Sequence, residues 1–274
     1  MDKELEQKLK NTAKEIRKMT IEEMGTLGTG HIGGAMSIVD LLALLYFHRM
    51  KVDPQKPRME ERDQLVVSKG HSGPAVYAAL ALKGFFPKEW LATLNKGGTS
   101  LPSHCDRNKT PGIDMTTGSL GQGFSAAIGI ALGLKMDKKP QTVYTIIGDG
   151  ESNEGQIWEG ALFAGFHKLP NLIAFTDYNK QQLDGFTKDI LDLGDLAKKW
   201  EQFGWFVQEC DGHDIAALDA AIEKAQAEKE RASMIVMHTI KGKGCNFAEG
   251  VEKNHSMAFD MEKAKEAIAA LGAE

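Results

Sequence analysis

The strand-forming run Val143-Tyr144-Thr145-Ile146-Ile147 passes directly into Gly148-Asp149-Gly150, and residues 156–167 then take up helical spacing. A buried strand that ends in glycines and hands over to a helix is the corner at which α/β proteins bind ligands. The pattern recurs along the chain. Residues 64–67 form a short strand ending in Ser68-Lys69-Gly70-His71-Ser72-Gly73 before a helix over 75–83, and residues 172–176 form one ending at Asp177-Tyr178-Asn179. Strands at 206–207 and 234–237 alternate with helices near 195–203 and 215–229. This alternation predicts an α/β fold, a mainly parallel sheet flanked by helices on both faces, with ligands at the carboxyl ends of the strands.

The remaining segments fill in around that sheet. Leu5, Leu9, Ile16, Met19 and Met24 recur at helical spacing among Lys and Glu, which predicts an amphipathic amino-terminal helix over 1–24. A second helix is expected over 37–48 with Ser37 as its cap, a third over 123–134 and a last one over 258–271. Residues 97–119 lack periodicity and carry Gly, Pro, Ser and Asn, a long loop of the kind that serves function. No linker or repeat interrupts 1–274, so one domain is expected.

Composition removes several classes of function. With 33 basic against 38 acidic residues, the net charge of −5 argues against a nucleic-acid binder. The apolar run at 41–47 falls far short of the roughly 18 residues a membrane span requires, so no membrane association is expected. No apolar leader follows Met1, and three widely spaced cysteines form neither a disulfide framework nor a zinc site; a cytoplasmic location is expected. Gly28-Thr29-Gly30-His31-Ile32-Gly33 reads as G-x-G-x-x-G, but a helix precedes it where the dinucleotide fingerprint needs a strand.

At Gly148-Asp149-Gly150, two glycines allow backbone N–H groups to approach an anion, while the aspartate between them would repel a bare phosphate. A cation between carboxylate and phosphate reconciles the two, and Mg²⁺ commonly takes one or two protein side chains and more oxygens from phosphates. A second oxygen donor is then expected on the neighbouring strand end, where Asn179 stands. An ordinary Asx turn would present the same three residues.

Gly148-Asp149-Gly150 with 28 residues before Asn179 resembles the thiamine-diphosphate motif. Further segments resemble the amino-terminal domain of the transketolase family: Gly30-His31, Ser68-Lys69-Gly70-His71, Leu101-Pro102-Ser103-His104, Thr116 through Gly123, Gly148 through Gly155, and Gly212-His213-Asp214. The resemblance implies a thiamine-diphosphate-binding fold and an assignment of residues. Asp149, the side chain of Asn179 and the carbonyl of Gln181 would ligate Mg²⁺, or another divalent cation such as Ca²⁺ or Mn²⁺. His71 and Gly150 would meet the diphosphate, Gly118-Ser119-Leu120 would lie against the cofactor rings, and Glu154 would sit near a subunit interface. His31, His104 and His255 would be active-site histidines, His255 also touching cofactor, since imidazole handles sugar hydroxyl protons near neutral pH. His48, His167, His213 and His238 are read as structural.

The implied activity is transfer of a two-carbon ketol unit from a ketose to an aldose, both expected to be phosphorylated sugars in the family's pattern. Full transketolases continue into a pyrimidine-binding domain that holds an essential glutamate, for which this chain shows no match. It is therefore expected to be the amino-terminal subunit of a split transketolase, active only within an α2β2 heterotetramer that includes a carboxyl-terminal transketolase subunit. The α subunit of a 2-oxo-acid dehydrogenase, a fragment of a 1-deoxyxylulose-5-phosphate synthase and a non-catalytic cofactor-binding module are the alternatives. Leu101-Pro102-Ser103-His104 and the Thr116–Gly123 segment favour transketolase.

Overall fold

The computed structural model describes residues 1–273. Helix α1 (Lys3–Leu27) begins at Asp2, whose carboxylate accepts from Leu5 N at 2.8 Å, and ends at Gly28 in the left-handed region, φ 88°. It runs one turn beyond the 24 residues its periodicity suggests, up to that glycine, and Gly25 lets the last helix approach: a Cβ there would lie 2.6 Å from Ala264 Cβ. A two-residue strand β1 (Thr29–Gly30) follows, then α2 (Ile32–Met36) and α3 (Val39–Leu44), which widens into a π turn over Leu45–Arg49. The helix expected over 37–48 is thus broken. Ser37 does not cap it; its hydroxyl donates instead to Asp177 Oδ2 at 2.6 Å and Gly34 O at 3.1 Å.

Next come β2 (Gln64–Val67), α4 (Gly73–Lys83), the irregular segment over 97–119, α5 (Gln122–Met136), β3 (Val143–Gly148) and α6 (Gly155–His167). After these stand β4 (Leu172–Tyr178), α7 (Thr187–Ile190), α8 (Leu196–Gln202), β5 (Phe206–Asp211), α9 (Ile215–Ala227) and β6 (Ser233–His238). Asp195 and Asp214 cap α8 and α9 through backbone N–H groups. Strand β7 (Met257–Ala258) pairs antiparallel with β1, and α10 (Met261–Ala273) closes the described chain, starting three residues later than expected because that pairing occupies 257–258.

The main sheet has the order β2-β3-β4-β6-β5, parallel throughout. From β2 to β5 the chain moves one way across it, then steps back to β6. Right-handed crossovers place helices of the forward steps on one face and of the return step on the other. Accordingly α5, α6 and α8 pack with Val143, Ile147, Leu172, Ala174, Met234 and Val236, and α9 packs with Tyr144, Ile146, Ile173, Phe175, Ile235 and Met237; α1 and α3, which precede the main sheet, and α4, which lies ahead of α5 in the first connection, join α9 on that face. The two sets alternate along each strand, as the pleat requires. Every carboxyl end of β2, β3, β4 and β6 therefore opens on the same edge.

Candidate active site

A cavity of about 380 Å³ lies at that edge. The loop after β2 brings Lys69 and His71 to it, β3 brings Asp149 and Gly150, β4 brings Asp177, Asn179 and Gln181, and the segment after β6 brings Lys241 and His255. His31, from the turn between β1 and α2, and His104 and Gly118, from the irregular segment over 97–119, complete the wall.

Asp149 is 2% exposed. Its Oδ1 accepts from Gly150 N at 2.7 Å and its Oδ2 from Lys180 N. Burial, together with the neighbouring charge of Asp177, pushes its carboxyl up to about 7, with these N–H groups and Lys241 opposing. A divalent cation would reverse that balance, since opposite charge favours the carboxylate. Beside it, Asn179 turns its Nδ2 to Asp177 at 3.0 Å, leaving Oδ1 to accept from Gln181 N at 3.1 Å. Among the described residues, the Gln181 carbonyl accepts no hydrogen bond. One buried carboxylate, one carboxamide oxygen and one free carbonyl are a hard-oxygen set that fits Mg²⁺ held with phosphate oxygens. Gly150 is required here: a Cβ would fall 2.7 Å from Gln182 Cβ.

Four of the eight histidines converge. His31 lies 5.6 Å from His71, 5.6 Å from His104 and 5.4 Å from His255 between ring centroids, and His71 lies 4.7 Å from His255. Burial lowers the pKa of all four; His104 adds to it at His31, Lys69 at His71, and Lys241 at His255, which falls to about 4. Near pH 7 the cluster is a set of neutral imidazoles, each able to donate from one ring nitrogen and accept at the other.

Gly118 and Leu120 line the cavity, whereas Ser119 is exposed and outside the lining; Glu154 stands exposed at its rim. His213 lies elsewhere: its Nδ1 meets Asp40 Oδ2 at 2.8 Å, and its Nε2 accepts from Ile240 N at 2.9 Å, orienting a turn beside the buried Arg17–Asp40 pair. His48, His167 and His238 line no part of the cavity.

Several wall residues escape a reading of the sequence. Lys69, 2% exposed, pairs with the fully buried Asp177 at 2.7 Å. Glu151 accepts from Gly121 N at 2.8 Å, Gly148 N at 2.9 Å and Ser68 Oγ, pinning the 118–121 turn to two strand ends. Lys241 donates to Gln182 O at 3.1 Å, and burial lowers its pKa to about 8. Lys69 and Glu151 stand inside recognised motifs at strand ends, and that position is their only signal in the sequence.

The chain matches the family described as transketolase, thiamine diphosphate binding domain, over residues 8–274. It is 58% identical over 266 residues to the 6-deoxy-6-sulfo-D-fructose transketolase subunit of Clostridium sp. strain MSTE9, covering 97% of each chain. Over 248 residues it is 40% identical to an apulose-4-phosphate transketolase subunit of Actinobacillus succinogenes, covering 90% of each. The solved transketolase of Leishmania mexicana superposes with a TM-score of 0.90 at 30% identity, over 96% of this chain and 41% of that one.

Proposed function

The chain belongs to the transketolase family, and from that premise we propose that it is the amino-terminal, thiamine-diphosphate-binding subunit of a two-component transketolase moving a two-carbon ketol unit from a ketose to an aldose. The observation that carries this reading is the meeting, in one cavity, of the Asp149–Asn179 strand ends with four imidazoles. Residues 1–274 serve as a single cofactor-binding domain.

Asp149, Asn179 Oδ1 and the Gln181 carbonyl hold Mg²⁺, or Ca²⁺ or Mn²⁺ in its place. His71, the backbone at Gly150 and the Lys241 ammonium orient the diphosphate. Gly118 and Leu120 lie along the rings, and Ser119, outside the lining, has no part in that contact. Thiamine diphosphate, when bound, supplies the nucleophilic carbon and the electron sink for carbon–carbon cleavage. His31, His104 and His255 hold sugar hydroxyls and move their protons, a role their neutral state suits.

The Clostridium and Actinobacillus relatives, matched over 90% or more of both chains, are named as subunits, which implies a partner; we assign it as the carboxyl-terminal transketolase subunit in an α2β2 assembly. Leu162, Phe163 and Phe166 on α6 are 61%, 44% and 81% exposed, an apolar face that supports such assembly, with Glu154 nearby at the start of that helix. Three unpaired thiols support a cytoplasmic setting.

The substrates named for these two relatives each carry a terminal anion, a sulfonate or a phosphate. The donor is accordingly a ketose with a terminal anionic group, the sulfonated ketose first given the 58% identity, and the acceptor is a phosphorylated aldose. Co-purification of the partner, followed by a screen of 6-deoxy-6-sulfofructose, fructose 6-phosphate and fructose as donors, tests this. Turnover of an anionic ketose far above fructose is expected; equal turnover of fructose would refute the anionic donor.

A further inference from the structure

We infer that Asp177 is a positioning residue: it sets the orientation of the Asn179 carboxamide and ties to that one ligand the segments that carry His31, His71 and Lys241. The inference rests on the reading of Asn179 as a metal ligand.

Asp177 is buried completely, at the end of β4. Its Oδ2 accepts from Lys69 Nζ at 2.7 Å, Ser37 Oγ at 2.6 Å and Asn179 Nδ2 at 3.0 Å, and its Oδ1 accepts from Thr239 Oγ1. Four donors from four chain segments thus meet on one carboxylate. Lys69 precedes His71 by two residues, Ser37 follows the His31 turn, and Thr239 precedes Lys241 by two. Lys69 Nζ also donates to Gly34 O at 2.7 Å, a second tie to the His31 segment.

A carboxamide has one donating end and one accepting end, and its partners decide which faces where. A buried carboxylate can only accept, so it takes the Nδ2 end of Asn179. Oδ1 is thereby turned away from Asp177, where it accepts from Gln181 N at 3.1 Å. The flipped amide would set two oxygens against one another at the 3.0 Å now spanned by a hydrogen bond. Lys69 Nζ, 2.7 Å from Oδ2, anchors the carboxylate through a charge-assisted bond, which is stronger than a neutral one.

The test is Mn²⁺ binding to the full chain in the presence of inorganic diphosphate, followed by electron paramagnetic resonance. Asp177→Asn leaves Lys69 unpaired in the interior, so a Lys69→Met/Asp177→Asn double variant removes both charges together. Loss of an outer partner of a metal ligand is expected to weaken Mn²⁺ affinity about 10-fold to 100-fold. The metal-free double variant should melt near the wild-type temperature, which separates positioning from a merely structural role. Wild-type affinity in the folded double variant, or a double variant that does not fold, overturns the inference and leaves the metal reading standing. A wild-type chain that binds no Mn²⁺ with diphosphate overturns that reading as well.

Discussion

The rings of His71 and His255 stand 4.7 Å apart between centroids, tilted by 46°, although one follows β2 and the other precedes β7. Two imidazoles this close cannot both be charged without strong repulsion, and Lys69 and Lys241 add positive charge beside them. Burial first, and these neighbouring charges second, hold the cluster neutral.

That neutrality has a pH signature. His255, with its folded pKa lowered to about 4, takes up a proton in the unfolded chain first as pH falls below 6.5. Its contribution to stability is therefore complete above 6.5, declines between 6.5 and about 4, and is flat below. Buried carboxyls raised to about 7 at Asp149 and about 6 at Asp114 work in the opposite sense, gaining stability as pH falls. Urea unfolding at pH 7.5 and 5 of wild type and His255→Gln isolates the histidine's share: the variant should lose less stability on acidification. An equal loss in both would show His255 to be solvated.

Glycines 70 and 118 separate folding from cofactor binding. A Cβ at Gly70 would fall 2.7 Å from the Thr117 carbonyl carbon and 2.8 Å from Gly118 N, both backbone, so Gly70→Ala should cost about 1–3 kcal/mol in thermal or chemical unfolding. At Gly118 the nearest atom would be a ring carbon of His104 at 3.4 Å, ordinary contact. Gly118→Ala should leave unfolding unchanged and weaken thiamine diphosphate binding in calorimetry, since the added methyl enters the cavity.

The exposed face of α6 predicts a defect of assembly alone. Phe166→Glu alters a side chain that is 81% exposed, so the variant chain should fold and melt as wild type does. In size-exclusion chromatography with the partner subunit it should elute separately. Normal co-elution would place the interface elsewhere.

Asp149→Ala removes the carboxylate on which the metal reading depends. Mg²⁺-dependent binding of thiamine diphosphate to the assembled protein should be abolished in titration calorimetry, with the fold retained by circular dichroism. Unchanged affinity would remove Asp149 from the site.

Much of the architecture is legible in the sequence because strands β3 and β4 are runs of strand-forming residues that stop at polar strand ends, and because α9 and α1 carry strong helical periodicity. Ser37 misleads for a physical reason. A serine before an apolar run satisfies the local rule for a helix cap, and only the tertiary fold brings Asp177 within 2.6 Å of its hydroxyl. Lys69 and Asp177 are in view within their motifs, but nothing local shows that they form one buried pair across β3, which lies between β2 and β4. The convergence of His31, His71, His104 and His255 follows from family resemblance; spacing along the chain contains no such information. Strands β1 and β7 are two residues each, too short for any periodic signal.

The decisive measurement is the rate of two-carbon transfer from an anionic ketose to an aldose phosphate, with thiamine diphosphate and Mg²⁺, by the chain alone and by the chain with its partner subunit. No transfer by the chain alone and full transfer by the reconstituted pair is the predicted result. A normal enzymatic rate from the chain alone, or none from the pair, would contradict it.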